Sequence, residues 1–235
     1  MVTRRKPVIP VAVEDLAEAV LGAARRLVPD GLGVGTAGNV SARDAASGLI
    51  AVTPAGLAYE TMTLADIAIV DSYGRLVRGD HRPTSELPLH LAILATHADV
   101  GAIVHAHSPY ATAFSVAHHP IPLVCNEGLF VGSPRVEVTE FAQPGTTSIG
   151  RAALALLHRI PGARAFLLAN HGVVALGRSV PGAYTLATQV EWEARVYHLA
   201  LQLGEPHVLT KTQMDEILAT YADLPPVEPS TWGTE

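Results

Sequence analysis

The chain has 235 residues, of which 49% are hydrophobic and 16% charged, and it carries a formal net charge of −6. That balance supports one sizeable core and excludes a mostly disordered chain or a basic nucleic-acid-binding surface. A single cysteine, Cys125, excludes an internal disulfide framework and a thiolate zinc cage, and no long uncharged apolar run suggests a membrane span.

Residues 1–12 read as a loose arm without the apolar stretch and cleavage site of a signal peptide, so a cytoplasmic protein is expected. Low charge also predicts apolar surface buried between subunits. Val13, Leu16, Val20, Ala24 and Leu27 step by three or four, the spacing of one helix face, and Pro29-Asp30-Gly31 stops that helix. The glycine-rich stretch 31–43 reads as a connector whose backbone can approach a ligand closely. It is not a dinucleotide-binding turn, because no strand precedes it and no helix follows.

Strands are expected at 49–53 and 67–70, with turns at Pro54-Ala55-Gly56 and 71–74 and a return at 75–78. Ser85 is placed as the N-cap of a helix over 86–97, with Leu87, Leu91 and Leu94 inward and Glu86 in the first turn. Glu86 and His90, four apart, could form a second metal pairing but read more simply as an ordinary helix-face contact. A buried strand over 101–107 follows, then a helix opened by Ser108-Pro109 and running to about Val116. Short strands are expected at 121–125 and 135–138, and a helix from about Thr147 to His158. Two strands, 164–169 and 173–177, hinge at His171-Gly172. The longest helix runs from Ser179 to about Leu203 with Gly204 as C-cap. A last helix covers 211–221, and the tail from Leu224 is rich in proline. There is no internal repeat and no clean linker, so 13–223 reads as one mixed α/β domain.

The chemistry gathers on a few residues. On a strand, side chains alternate with period two, so His105 and His107 face the same way. His171 sits at the hinge of another apolar strand, and Glu86 precedes the pair. Three imidazoles, one carboxylate and an open position describe a catalytic metal site rather than a closed structural one. Spacing alone leaves this open in a chain with 11 histidines.

Five stretches narrow it. Gly35-Thr36-Ala37-Gly38-Asn39-Val40-Ser41-Ala42-Arg43, Thr53-Pro54-Ala55-Gly56, Pro83-Thr84-Ser85-Glu86, Val104-His105-Ala106-His107 and Leu168-Ala169-Asn170-His171-Gly172 occur in that order. Together they resemble the class II aldolase/adducin-head family, and most of all its L-fuculose-1-phosphate aldolase branch, from about residue 13 to about 221. The resemblance implies a single-domain three-layer α/β/α fold with a central, largely antiparallel sheet, and a homotetramer with sites at subunit boundaries. It implies His105, His107 and His171 as metal ligands, with Glu86 as a fourth ligand that swings off as acid/base, its pKa raised toward neutrality. It puts a phosphate cradle on Gly38, Asn39, Gly56, Thr84 and Ser85, and a substrate-contacting catalytic tyrosine at Tyr221. The implied metal is Zn2+, with Mn2+, Co2+ or Fe2+ as substitutes.

The implied reaction cleaves a ketose 1-phosphate, fuculose- or ribulose-like, to dihydroxyacetone phosphate and an aldehyde through a metal-bound enediolate. Two departures stand out. Ala55 replaces a hydroxyl residue of the cradle, and Phe141 stands where the family places a tyrosine from the neighbouring subunit; Tyr110 is an unassigned candidate. A metal-dependent decarboxylase or epimerase acting on a keto acid is the alternative, and a non-enzymatic adducin-like module a third reading. No nucleic-acid or membrane partner is expected.

Overall fold

The computed structural model describes residues 9–222. Most of the expected arm and the whole tail from Leu224 lie outside them, and Val11 and Ala12 already belong to the first helix. The chain runs α1 (Val11–Arg26), β1 (Asn39–Arg43), β2 (Ile50–Val52), β3 (Ala68–Val70), β4 (Leu76–Arg78), α2 (Leu87–Thr96), β5 (Ala102–Ala106) and α3 (Pro109–Ala117). It continues β6 (Ile121–Pro122), β7 (Arg135–Val138), α4 (Thr147–Arg159), β8 (Ala165–Leu168), β9 (Gly172–Gly177), α5 (Val180–Leu201) and α6 (Lys211–Ala222).

The strands form one sheet in the order β4-β3-β2-β1-β5-β9-β8-β7-β6. Every pair is antiparallel except β7 with β8. Alternation along the strands sorts the core into two layers. On β5, Ala102, Val104 and Ala106 join the cluster packed by α1, α3 and α5, while Ile103 joins the one packed by α2 and α4. β9 divides the same way, with Val173 and Ala175 on one side and Val174 and Leu176 on the other. Burying an Ile or Phe side chain such as Ile103 or Phe166 stabilises by about 1.5–3 kcal/mol, so both faces need helical cover. This is the expected three-layer α/β/α fold with a largely antiparallel sheet. Among the described residues no helix is long and apolar enough to cross a membrane.

Four expectations change. The stretch read as a connector contains β1, a central strand paired with β2 on one side and β5 on the other. Asn, Ser and Ala have weak strand preference, so the tertiary pairing decides what the local sequence does not. Glu86, not Ser85, is the N-cap of α2, and it makes no side-chain cap bond. Ser85 is exposed, and Leu89 and Ile93 are buried on α2 where Leu91 is only partly so. α5 closes at Gln202 rather than Gly204. The far end of α2 is pinned by Arg43, whose guanidinium donates to the carbonyls of Leu94, Ala98 and Val100. A cation there suits the helix C-terminus.

Candidate metal centre

Parity brings the ligands together. His105 and Ile103 share a face of β5, so His105 points toward α2 and α4, and His107 continues that face just past the strand end. The His107 backbone N–H donates to Leu32 O at 2.9 Å, which fixes the exit of the strand. Glu86 reaches the same point from the start of α2, and His171 from the β8–β9 turn. One donor atom from each of Glu86, His105, His107 and His171 lies within 4.8 Å of the others. His105 Nε2 is 3.0 Å from Glu86 Oε2 and 2.9 Å from His107 Nε2, and His171 Nε2 is 3.4 Å from Glu86 Oε1.

His105 and Glu86 are held through their side chains, and His171 through its backbone. His105 Nδ1 donates to Val173 O at 2.9 Å, which leaves Nε2 to face the cluster. Gly172 permits that approach: a Cβ there would stand 2.4 Å from Ala106 O and 3.3 Å from His105 Cε1. Asn39 lies opposite His105 in the β1–β5 register, and its Nδ2 donates to Glu86 Oε2 at 2.9 Å. His171 sits beside Asn170, which adopts φ +57°, a left-handed conformation that Asn tolerates well. The His171 N–H donates to Ser115 Oγ at 3.2 Å, the Asn170 N–H donates to Ser115 O at 3.1 Å, and His118 Nε2 donates to Asn170 Oδ1 at 2.6 Å.

The electrostatics suit a cation. Burial pushes the Glu86 pKa up, but the charges of His105 and His171 and hydrogen bonds from His105 and Asn39 outweigh it, and the carboxyl is held well below the usual range. The expectation of a raised Glu86 pKa is therefore not met in this arrangement; the neighbouring imidazoles decide the sign. Burial lowers the His105 pKa, yet the Glu86 charge and hydrogen bond raise it overall. His107 is pushed down to about 3, first by burial and then by the charges of His105 and His171. His171 is lowered by burial and by the charge of His105. Neutral imidazoles, the form favoured at His107 and His171, and an ionised carboxylate are the forms that ligate metals, while His105 would release a proton on binding the cation. Glu86 Oε1 is buried and accepts no hydrogen bond. Such an atom is costly unless something positive meets it, and a divalent cation among three imidazoles fits.

The cluster floors a cavity of about 320 Å³. Gly38, Asn39, Gly56, Thr84 and Ser85, the expected cradle residues, all line it together with Glu86, His107 and His171. Ala55 is there too, as are Thr36, Ala37 and Pro54 of the same motifs and the Pro144-Gly145 turn. No tyrosine lines the cavity among the described residues. Tyr221 lies on α6 with its ring 5.8 Å from Phe130, Tyr110 packs 5.6 Å from the His198 ring, and Phe141 is 62% exposed. A larger cavity of about 720 Å³ beside Glu14, Arg78 and Asp80 contains none of the four clustered donors.

The supporting residues His90, Ser41, Ser115, Asn170 and His118 were not assigned from sequence. The spacing of Glu86 and His90 shows that they share a helix face, but their partners Asn39 and Ser41 lie two apart on β1, the stretch read as a connector.

The profile of the class II aldolase and adducin N-terminal domain family matches residues 18–198. A relative from Rhodospirillum rubrum, described as a 5-methylthioribulose-1-phosphate/5-deoxyribulose-1-phosphate aldolase, is 38% identical over 211 residues, which cover 88% of this chain and 93% of the relative. A 5-deoxy-D-ribulose 1-phosphate aldolase from Bacillus thuringiensis is 32% identical over 201 residues, covering 85% of this chain and 92% of that one. The solved structure of an L-fuculose 1-phosphate aldolase superposes with a TM-score of 0.83 at 33% identity, covering 88% of this chain and 96% of that one.

Proposed function

Because the chain belongs to the class II aldolase and adducin N-terminal domain family, we propose that it cleaves a 5-deoxyribulose 1-phosphate-like ketose 1-phosphate to dihydroxyacetone phosphate and an aldehyde. The observation that carries this reading is a four-donor metal cluster, three of whose residues line one cavity together with a wall of glycines and small hydroxyls. The ribulose-type substrate is preferred over a fuculose-type one because the relative at 38% identity is described as acting on 5-methylthioribulose 1-phosphate and 5-deoxyribulose 1-phosphate, against 33% for an L-fuculose 1-phosphate aldolase.

His105, His107, His171 and Glu86 would hold the divalent cation, and zinc is the ion we assign to three imidazoles and a carboxylate. When bound, it supplies Lewis-acid polarisation of a carbonyl and charge stabilisation of the oxygen it contacts. Glu86 exchanges a proton with the substrate carbon that loses its C–C bond, and Asn39 orients the carboxylate from Oε2. Gly38, Gly56, Thr84 and Ser85 hold the phosphate through backbone N–H and hydroxyl groups. This suits a chain with no lysine between Lys6 and Lys211. Tyr221 is outside its own chain's cavity, so its assigned role belongs to a neighbouring copy, and the homotetramer is part of the proposal. A reduced cytoplasmic setting suits the lone Cys125.

The test is release of dihydroxyacetone phosphate by the zinc-loaded protein from 5-deoxyribulose 1-phosphate and from L-fuculose 1-phosphate. Release from both, with the larger kcat/KM for the ribulose compound, is expected. Metal-replete protein that releases none from either overturns the reading.

A further inference from the structure

His90 is completely buried on α2, one turn beyond Glu86, and its ring nitrogens pair with Asn39 and Ser41 rather than with the four clustered donors. Its Nε2 lies 2.5 Å from Asn39 Oδ1 and its Nδ1 lies 2.6 Å from Ser41 Oγ. Asn39 in turn has Nδ2 at 2.9 Å from Glu86 Oε2. Asn39 and Ser41 share the face of β1 that looks at α2, which is why both nitrogens of one imidazole find partners.

The carboxylate sets the direction of the whole chain of bonds. An ionised carboxylate only accepts, so Asn39 must turn its NH2 group to Glu86. Its Oδ1 then faces His90, and an amide oxygen only accepts, so His90 Nε2 must carry the hydrogen. A neutral imidazole has one N–H, so Nδ1 accepts and the Ser41 hydroxyl donates. Burial keeps His90 neutral and pushes it down to about 4; Glu86 pulls the other way and His105 adds to the fall.

We propose that His90 is a positioning residue that locks the Asn39 amide with its N–H groups toward the cavity, one on Glu86 and the other available to a substrate anion. The proposal rests on the aldolase reading for its kinetic consequences only. An amide is nearly the same shape when flipped, so sterics alone do not choose its direction; the Glu86 carboxylate and the His90 N–H choose it together, and without His90 only one of the two holds it. A flipped Asn39 would set Oδ1 against Glu86 Oε2, oxygen against oxygen, and would move the carboxylate from the place where it handles the proton. A histidine that merely fills the core would have no such consequence when replaced by an apolar residue of similar size.

Two measurements test this on the full chain. Nitrogen-15 NMR of the imidazole in the native protein should find His90 neutral with hydrogen on Nε2. The opposite tautomer, or an imidazolium at neutral pH, overturns the proposal. In the zinc-loaded protein, His90→Leu should lower kcat on the order of 10- to 100-fold, the scale of a misplaced reacting group, with metal content unchanged. His90→Gln, which presents an amide N–H and C=O at the spacing of the two ring nitrogens, should recover most of that loss. Equal activity in the Leu and Gln variants, whether high or low, overturns the proposal. A protein that cleaves no ketose 1-phosphate sinks the aldolase reading, and the tautomer still decides the proposal.

Discussion

The cavity's two walls differ in what carries their contacts. The metal wall is built from side chains on ordered elements: His105 is completely buried on β5, Glu86 is 6% exposed at the start of α2, and bonds from Val173 and Asn39 hold them. The cradle wall is built from loops, with glycines at φ +94° (Gly38) and +68° (Gly56) and an exposed Ser85. The walls meet at Gly38, where a Cβ would stand 2.9 Å from the His105 carbonyl oxygen. A substitution in the first wall removes a group with no substitute nearby. A substitution in the second removes one hydrogen bond among several. The first wall should therefore respond all-or-none and the second by degrees.

The largest effect is expected from His107→Ala. It should lose zinc and activity together, by roughly a thousandfold if the cation supplies several kcal/mol, while circular dichroism stays native. Retention of stoichiometric zinc, measured by plasma emission, would remove His107 from the ligand set. Next comes Glu86→Gln, which keeps three imidazoles and so keeps metal, but loses a proton carrier at a cost of about 10²–10⁴ in kcat. Unchanged turnover would take Glu86 out of that role.

Acid should also attack the metal wall selectively. The folded His90 pKa is depressed to about 4 from its ordinary 6.5, so between those values the unfolded chain binds more protons. Its contribution to stability is complete above the upper value and falls as pH drops through the window, by up to about 1.4 kcal/mol per pH unit. Denaturant titrations from pH 7 to 4 should show a shallower slope for His90→Gln than for the native chain; identical slopes would contradict the assignment. The smallest effect belongs to the cradle. Ser85→Ala should raise KM for a phosphorylated substrate by roughly tenfold, the worth of one hydrogen bond to a charged group, with kcat nearly unchanged. An equal rise for an unphosphorylated analogue would place the phosphate elsewhere.

Legibility follows the same division. His105 and His107 were readable because period two is a property of any strand, and His-x-His needs no partner to be seen. The helix stripes, the 135–138 strand and the Ser179 cap were equally local. β1 was missed because Asn39-Val40-Ser41-Ala42-Arg43 follows four glycines and carries only one β-branched residue, so its short alternation of Val40 and Ala42 with polar residues was read as part of a connector; pairing on both edges makes it a strand. Tyr221 was carried by resemblance, and within one chain the fold sets it beside Phe130 rather than in the cavity.

By itself, the sequence determined the donor types, the alternation that puts two imidazoles on one face, and the absence of a lysine between Lys6 and Lys211, which leaves hydroxyls and backbone to hold an anion. Those are consequences of covalent order over a few residues. The tertiary structure alone decided that Glu86, His105 and His171 converge, that their charges hold the Glu86 carboxyl below rather than above its usual range, and that His90 reaches Asn39 across 51 residues of sequence. Electrostatics and hydrogen bonding depend on distance in space, and no local pattern encodes which distant side chains a sheet register will bring within 3 Å.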